Sequence, residues 1–234
     1  MYKRILLKLT GELFGPPDGQ GIETERLQRV ALYLKHLKNS FDVEIAIVLG
    51  GGNIYRGRNA TDPRFDHAQA DYAGMLATVI NAILLQGELE ILEVETRVMS
   101  SLEINKACEP YIRRKALRHL DDGTLVILAG GIGEPFFTTD TTAALRAAGL
   151  NCDILLKGSN VDGVFSADPR LDPNAVKYQE LTYQEALVKN LLVMDDTAFA
   201  VCKREKIPII VFNIGDLDNI GRILKGEKIG TLIQ

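Results

Sequence analysis

The chain has 234 residues, 46% of them hydrophobic and 25% charged, with no tryptophan. That length buries a full core and lies near the upper end of what one domain holds, so residues 1–234 read as a single domain. With 27 basic and 31 acidic side chains the net charge is −4, which excludes nucleic-acid binding driven by bulk charge and leaves any anionic ligand to local donors or a metal ion.

The three cysteines, Cys108, Cys152 and Cys202, form no CxxC pair and no mixed Cys/His cluster. They point to buried free thiols rather than a disulfide framework or a zinc site. The opening MYKRILLKLTGE is a short apolar run interrupted by Lys8, the pattern of a strand and not of a signal peptide. No apolar segment approaches the length of a membrane span, so the chain reads as cytoplasmic with no membrane partner.

In chain order, strands are predicted over residues 4–9, 44–49, 95–99, 125–129, 153–157, 209–213 and 230–233. Their nearly continuous apolar runs suit a parallel sheet covered on both faces. Between the first two strands, Leu27, Val30, Ala31, Leu34 and Leu37 share one helical face; after the second, Ala73, Leu76, Ile80, Ile83 and Leu84 do the same. A helix is predicted over 141–148, and Thr182 with Glu185 forms a capping box for another over 183–190. Residues 158–175 form a long excursion from the sheet. Alternating strands and helices give an α/β fold with a mostly parallel sheet, whose ligands bind at the carboxyl ends of the strands.

Those ends carry the chemistry. The first strand delivers Lys8-Leu9-Thr10-Gly11, an ammonium that must reach solvent or an anion, followed by a glycine that permits a close approach or a sharp turn. The second delivers Gly50-Gly51-Gly52-Asn53-Ile54-Tyr55-Arg56, successive backbone N–H groups suited to anions plus a guanidinium fork; a tight turn is the plainer alternative. The fourth delivers GGIGEPFFTTD, which places Thr138, Thr139 and Asp140 where a helix begins, either as an anion site or as a cap. The fifth delivers KGSNVDGVFSADP, where turn chemistry explains Asp162-Gly163 but not Phe165 with Asp168.

No Gly-Lys pair exists, which excludes a Walker loop, and Phe136 occupies the third glycine position of a dinucleotide fingerprint. His36, His67 and His119 lie in or beside charged helical stretches and read as surface residues. Several phosphate-friendly strand ends with one lysine, one arginine and scattered aspartates suit phosphoryl transfer, in which the protein mainly positions two anions.

The set YKRILLKLTGE, GGGNIYRG, DYAGMLATVINA, PFFTTD, VDGVFSADP, LTYQEAL, MDDTAF, VFN and GEKIGTLI, running from Tyr2 to Ile233, resembles the amino acid kinase superfamily and, within it, the bacterial uridylate (UMP) kinases. The resemblance implies a three-layer αβα sandwich, transfer of the γ-phosphoryl of Mg·ATP to UMP, and a homohexamer. It implies that Lys8, Leu9, Thr10 and Gly11 line the ATP phosphates, with Gly52 and Arg56 also on ATP. Ser159, Phe165 and Asp168 are expected on the ATP nucleoside. Gly51 is expected on UMP, Asp71 on its ribose, and Ile132, Gly133, Glu134, Pro135, Phe136, Phe137, Thr138 and Thr139 around the rest of it. The catalytic set is then Lys8, Arg56, Asp140 and Asp195, with Mg²⁺ held mainly by phosphates and no protein ligand assigned. A GTP-activation segment would fall at residues 16–21, and UTP would be an inhibitor. Thr10, Ile132, Glu134, Ser159 and Phe165 replace the commoner Ser, Thr, Asn, Thr and Tyr of that pattern. Two alternatives are another small-acid kinase of the superfamily and a non-catalytic nucleotide-binding or storage protein on the same scaffold.

Overall fold

The computed structural model describes residues 2–17, 20–55, 66–191 and 193–234. Among these, nine strands form one sheet in the order β4-β3-β5-β2-β1-β6-β8-β9-β7. The strands are β1 (Arg4–Leu9), β2 (Glu44–Leu49), β3 (Thr96–Ser100), β4 (Glu109–Pro110), β5 (Leu125–Ala129), β6 (Ile154–Ser159), β7 (Glu180–Leu181), β8 (Ile209–Asn213) and β9 (Thr231–Ile233). Seven of the eight pairings are parallel, and β8 with β9 is antiparallel. The helices are α1 (Thr24–Ser40), α2 (His67–Ile91), α3 (Arg113–Asp121), α4 (Thr139–Gly149), α5 (Tyr183–Val188), α6 (Asp196–Glu205) and α7 (Asp218–Leu224).

The central strand shows how alternation divides the molecule into layers. Ile5, Leu7 and Leu9 of β1 join the core formed with α1, α2 and α7, whereas Leu6 joins the core on the other face with α3, α4 and α6. Period 2 therefore puts Lys8 on the same side as Leu6, under α4 and α6. In β6, Ile154 and Leu156 belong to the first face and Leu155 to the second, so Lys157 follows Lys8. Strand β1 pairs with β2 on one side and β6 on the other, and the chain reverses its direction of growth across it. The crevice beyond its carboxyl end is a topological switch point, the usual place for a ligand in an open α/β sheet.

Helix α1 buries the five residues expected of it, Leu27, Val30, Ala31, Leu34 and Leu37, each large one worth about 1.5–3 kcal/mol when taken from water. Helix α2 behaves differently. The face Leu76, Ile80, Ile83 and Leu84 is 48%, 45%, 37% and 41% exposed, while Met75, Thr78, Val79, Asn81, Ala82, Leu85 and Leu89 face inward. The helix is apolar on two sides, and the polar pair Thr78 and Asn81 lies on the inner one. Its length also corrects the reading that no segment approaches a membrane span: α2 has an 18-residue window of mean hydropathy 1.3. Interrupting polar residues hid that window in a search for unbroken apolar runs, and its inner side packs on the sheet as the core helix of this layer.

The predicted strand bounds hold for β1, β2, β5 and β8 and shift by one or two residues for β3, β6 and β9. Strand β6 runs past Lys157 because Gly158 and Ser159 still pair with Phe212 and Asn213 of β8. The capping box of α5 is present, with Thr182 accepting from the Glu185 N–H at 3.1 Å and the Glu185 carboxylate accepting from the Thr182 N–H at 2.7 Å. Cys152 and Cys202 are buried free thiols, both pushed up to about 12 by burial, whereas Cys108 is only partly buried.

Candidate active site

Lys8 of β1 and Lys157 of β6 are register partners across the parallel pair. Two ammonium groups on neighbouring strands repel each other unless an anion lies between them. Asp140, in the first turn of α4, is that anion. Lys157 Nζ donates to its Oδ2 at 2.6 Å, and Lys8 Nζ lies 3.1 Å from its Oδ1. The two contacts differ in kind. Lys157 also donates to the Val193 carbonyl at 2.5 Å, while Asp140 Oδ1 receives no directed hydrogen bond among the described residues. Burial would raise the Asp140 pKa, but the two ammonium groups hold it below the ordinary carboxylate value. Burial also drives the Lys157 ammonium below its ordinary value, against the pull of Asp140.

A second carboxylate organises the helix ends above the sheet. Asp195 caps α6, accepting from the Ala198 N–H at 2.9 Å, and reaches across to α4. Its Oδ1 accepts from the Thr141 hydroxyl at 2.7 Å, and its Oδ2 accepts from the Thr138 hydroxyl. Partial burial would raise its pKa, yet these three hydrogen bonds keep it lowered. Thr138 is the N-cap of α4, accepting from the N–H groups of Asp140 and Thr141 at 3.0 and 3.2 Å. Capping thus explains Thr138, and Thr139 remains to line the space in front of the helix.

Three neighbouring cavities open here. One of about 690 Å³ is lined by Lys8, Asp71, Phe136, Phe137, Thr138, Thr139, Asp140, Lys157, Val193, Met194 and Asp195. A second of about 400 Å³ shares Lys8, Asp71, Phe137, Thr138 and Thr139 with it and adds Thr10, Gly11, the three glycines after β2 and Glu134. The third, about 360 Å³, holds Ser159, Phe165 and Asp168 and shares Lys157 and Val193 with the first.

Most of the residues singled out in the sequence therefore converge, with named differences. The Leu9 side chain is 1% exposed in the core, so its part at the site is limited to backbone. Ile132, Gly133 and Pro135 lie in the turn behind the lining; Gly133 has φ +92° and donates to the Gly130 carbonyl at 3.1 Å. Asp71 Oδ2 accepts from the Phe136 N–H at 2.7 Å, and Phe136 itself has φ +71° and is 73% exposed. Asp168 is held by Arg170 in a two-point pair at 3.0 and 2.8 Å, which lowers its pKa to about 2. Arg56 lies outside the described residues.

The glycine run has a packing reason beside any ligand. A Cβ on Gly50 would lie 2.9 Å from the Gly11 nitrogen, and one on Gly51 would lie 2.8 Å from both Ala77 Cβ and the Gly74 carbonyl. A Cβ on Gly11 would meet Asn53 and sit 2.7 Å from the Gly50 carbonyl. The close approach that Gly11 permits is thus to the second strand's loop. Beneath both turns, Asn53 and Asn81 exchange carboxamide hydrogen bonds at 3.1 and 2.8 Å; Asn81 also donates to Gly50 O at 2.9 Å and Asn53 to Gly21 O at 3.0 Å. Sequence reasoning missed this pair, and it missed Lys157. The signal for Lys157 was available: a lysine near the end of a buried strand, as for Lys8.

The residues fit a magnesium-nucleotide better than a protein metal centre. Among the described residues no group of three His, Cys, Asp or Glu could hold a metal ion. Mg²⁺ takes one or two carboxylate oxygens with phosphates and water, and Asp140 Oδ1 is one carboxylate oxygen without a directed donor among the described residues.

A family model for the amino acid kinase family matches residues 3–213. The chain belongs to the amino acid kinase family. Among solved structures it is similar to the UMP kinase of Bacillus anthracis, with 39% identity, a TM-score of 0.95, and coverage of 100% of this chain and 96% of that one. It is similar to the UMP kinase of Ureaplasma parvum at 35% identity and TM-score 0.93, covering 100% and 99%. The uridylate kinase of Archaeoglobus fulgidus matches at 28% identity and TM-score 0.75, covering 98% and 99%. The family's fold is the one described above, with helices on both faces of a mostly parallel sheet.

Proposed function

We infer that the chain is a UMP kinase, transferring the γ-phosphoryl group of ATP to UMP and releasing ADP and UDP. The observation that carries this reading is the pair of joined cavities meeting at Lys8, Thr138 and Thr139, with a third cavity opening from the wall that the first forms at Lys157 and Val193. Full-length similarity to three proteins named as kinases of this nucleotide supports the acceptor, and no observation favours a small carboxylate or a purely storage role. We take residues 1–234 as one catalytic domain.

The geometry suits direct transfer between two bound nucleotides. A UMP phosphate oxygen attacks the γ phosphorus, the bond to the β-γ bridging oxygen breaks, and its electron pair leaves with ADP. No side chain becomes covalently attached. The protein's task is to hold two mutually repelling anions in line, which is worth several kcal/mol of barrier. In this reading Lys8 neutralises charge on the transferring group, the N-terminus of α4 with Thr139 receives acceptor phosphate, and Asp71 and Glu134 face the acceptor nucleoside. Ser159, Phe165 and Asp168 line the donor nucleoside cavity, and Arg56 completes the donor phosphate site. When bound, Mg²⁺ would add charge neutralisation on the donor phosphates, and Asp140 is the carboxylate that would help hold it.

The same reading places the enzyme in pyrimidine nucleotide synthesis in the cytoplasm and takes it as a homohexamer. The outward apolar stripe Leu76, Ile80, Ile83 and Leu84 supports self-association, because side chains of that size in one row are covered in most stable proteins. GTP and UTP remain candidate effectors. Gly21, the end of the 16–21 segment, is tied to Asn53 by two hydrogen bonds, from its N–H to the Asn53 carbonyl at 2.6 Å and to its own carbonyl from Asn53 Nδ2 at 3.0 Å, which gives such an effect a route to the glycine loop. The test is ADP release from Mg·ATP against UMP, CMP, AMP and small carboxylates. Turnover with UMP far above the others is expected; turnover on a carboxylate but not on UMP would overturn the assignment.

A further inference from the structure

The proposed reaction leaves Lys157 without a role, yet it is the more firmly anchored of the two lysines. It donates to Asp140 Oδ2 at 2.6 Å and to Val193 O at 2.5 Å, and its side chain is 13% exposed. Among the described residues, Lys8 has only the ion pair to Asp140 Oδ1 at 3.1 Å, on an oxygen that receives no directed hydrogen bond. Asp195, the other nearby carboxylate, is engaged by Thr138, Thr141 and the Ala198 N–H.

We propose that Lys157 is a positioning residue: by holding Asp140 from the second strand, it leaves the charge of Lys8 available to a phosphate. Two ammonium groups share one carboxylate, so the trio faces the cavity with a net charge of about +1. Take Lys157 away and Lys8 and Asp140 become a neutral pair in a poorly solvated place. Lys8 would then have to break its one strong attraction before meeting a ligand. Register makes the sharing possible, since Lys8 and Lys157 are neighbours on parallel strands and Asp140 descends between them from α4. Lys157 also stands in the wall common to the first and third cavities, where it can serve Lys8 without itself contacting a reacting atom.

This inference rests on Lys8 being the phosphate-facing cation of the proposed reaction. It is tested with purified Lys157→Met, Lys157→Arg, Asp140→Asn and the double variant Lys157→Met/Asp140→Asn. Each is assayed for kcat and for KM of ATP and of UMP, with circular dichroism and Tm as fold controls. Lys157→Met should lower kcat/KM for ATP on the order of 10²-fold, with a smaller change in KM for UMP, and Lys157→Arg should restore part of it. The decisive comparison is in the Asp140→Asn background, where no carboxylate remains to pin Lys8. There Lys157→Met should cost less than about threefold, the non-additivity expected of residues acting through one another. If removing Lys157 costs as much in the Asp140→Asn background as in the wild type, Lys157 acts on the ligand directly and the proposal falls. Where Lys157→Met alone does not fold, the Asp140→Asn background still decides: a loss well above about threefold on adding Lys157→Met there overturns the proposal. Absence of UMP turnover in the wild type would instead remove the functional reading.

Discussion

Replacing Asn81 by leucine keeps the branched four-heavy-atom skeleton but removes every hydrogen bond of a carboxamide that is 1% exposed. Three bonds go: its donations to Gly50 O at 2.9 Å and Asn53 Oδ1 at 2.8 Å, and its acceptance from Asn53 Nδ2 at 3.1 Å. Asn53 Nδ2 keeps the Gly21 carbonyl at 3.0 Å, so two acceptors, Gly50 O and Asn53 Oδ1, are left orphaned. At about 1–3 kcal/mol for each buried orphan, less about 1 kcal/mol gained by burying leucine in place of an amide, the cost is about 3 kcal/mol. That is a large part of an ordinary stability of about 5–15 kcal/mol. In a chain of this length it lowers Tm by about 6–12 °C. Urea unfolding followed by far-ultraviolet circular dichroism measures the loss, and calorimetry the Tm. Pairing the change with Asn53→Val should recover about 1–2 kcal/mol relative to the sum of the single losses, because one orphan disappears with its partner. A loss below about 1 kcal/mol for Asn81→Leu, or strict additivity of the two changes, would refute the reasoning.

Three further outcomes are expected. Leu76→Glu with Ile80→Glu, on the exposed stripe of α2, should reduce the sedimentation coefficient to that of a smaller species while leaving the circular dichroism spectrum intact; an unchanged coefficient would remove that stripe from any interface. Asp195 is held below its ordinary value of 3.8 in the fold, so its ionised form stabilises above that pH, and the advantage is lost as pH falls through the lowered folded pKa. Asp195→Asn should therefore lower Tm at pH 7, with the gap to the wild type shrinking below about pH 4; a gap that widens in acid would contradict the assigned hydrogen bonds. Asp71→Asn, in the wall of the first two cavities, should raise KM for UMP roughly 10- to 100-fold, as for a lost charged hydrogen bond, with little change for ATP, and equal effects on both substrates would count against its place on the acceptor.

Much of the fold was legible because a buried parallel strand announces itself as an apolar run, and β1, β2, β5 and β8 begin and end where those runs do. The two-residue edge strands β4 and β7 carry no pattern of their own and exist through pairing with β3 and β9. Helix α2 shows the limit of amphipathic reasoning. Two of its sides are apolar, and the more obvious stripe is the outward one. At the site, residue types at strand ends pointed to Lys8, Thr138 and Asp140, whereas Lys157 gains its meaning from a register that only the folded sheet supplies. The glycine loop gained a packing reason that its sequence does not show, since Gly50 and Gly51 are required by the Gly11 turn and by α2. Asn53 and Asn81 are 28 positions apart, and nothing local marks them as partners.

The in-register lysines also bear on how the chain reaches its native pairing. Side chains along a strand alternate between faces, so a slip of β1 by one residue would turn Lys8 toward the layer of α1 and α2 and present Leu7 or Leu9 to Asp140. An ammonium would then be stranded among leucines, and Asp140 and Lys157 would lose a third member of their cluster. The apolar residues Ile5, Leu6, Leu7 and Leu9 could tolerate either arrangement on hydrophobicity alone. Lys8 makes the two unequal, so the same side chain that serves the crevice acts as a proofreading mark for the alignment of the sheet.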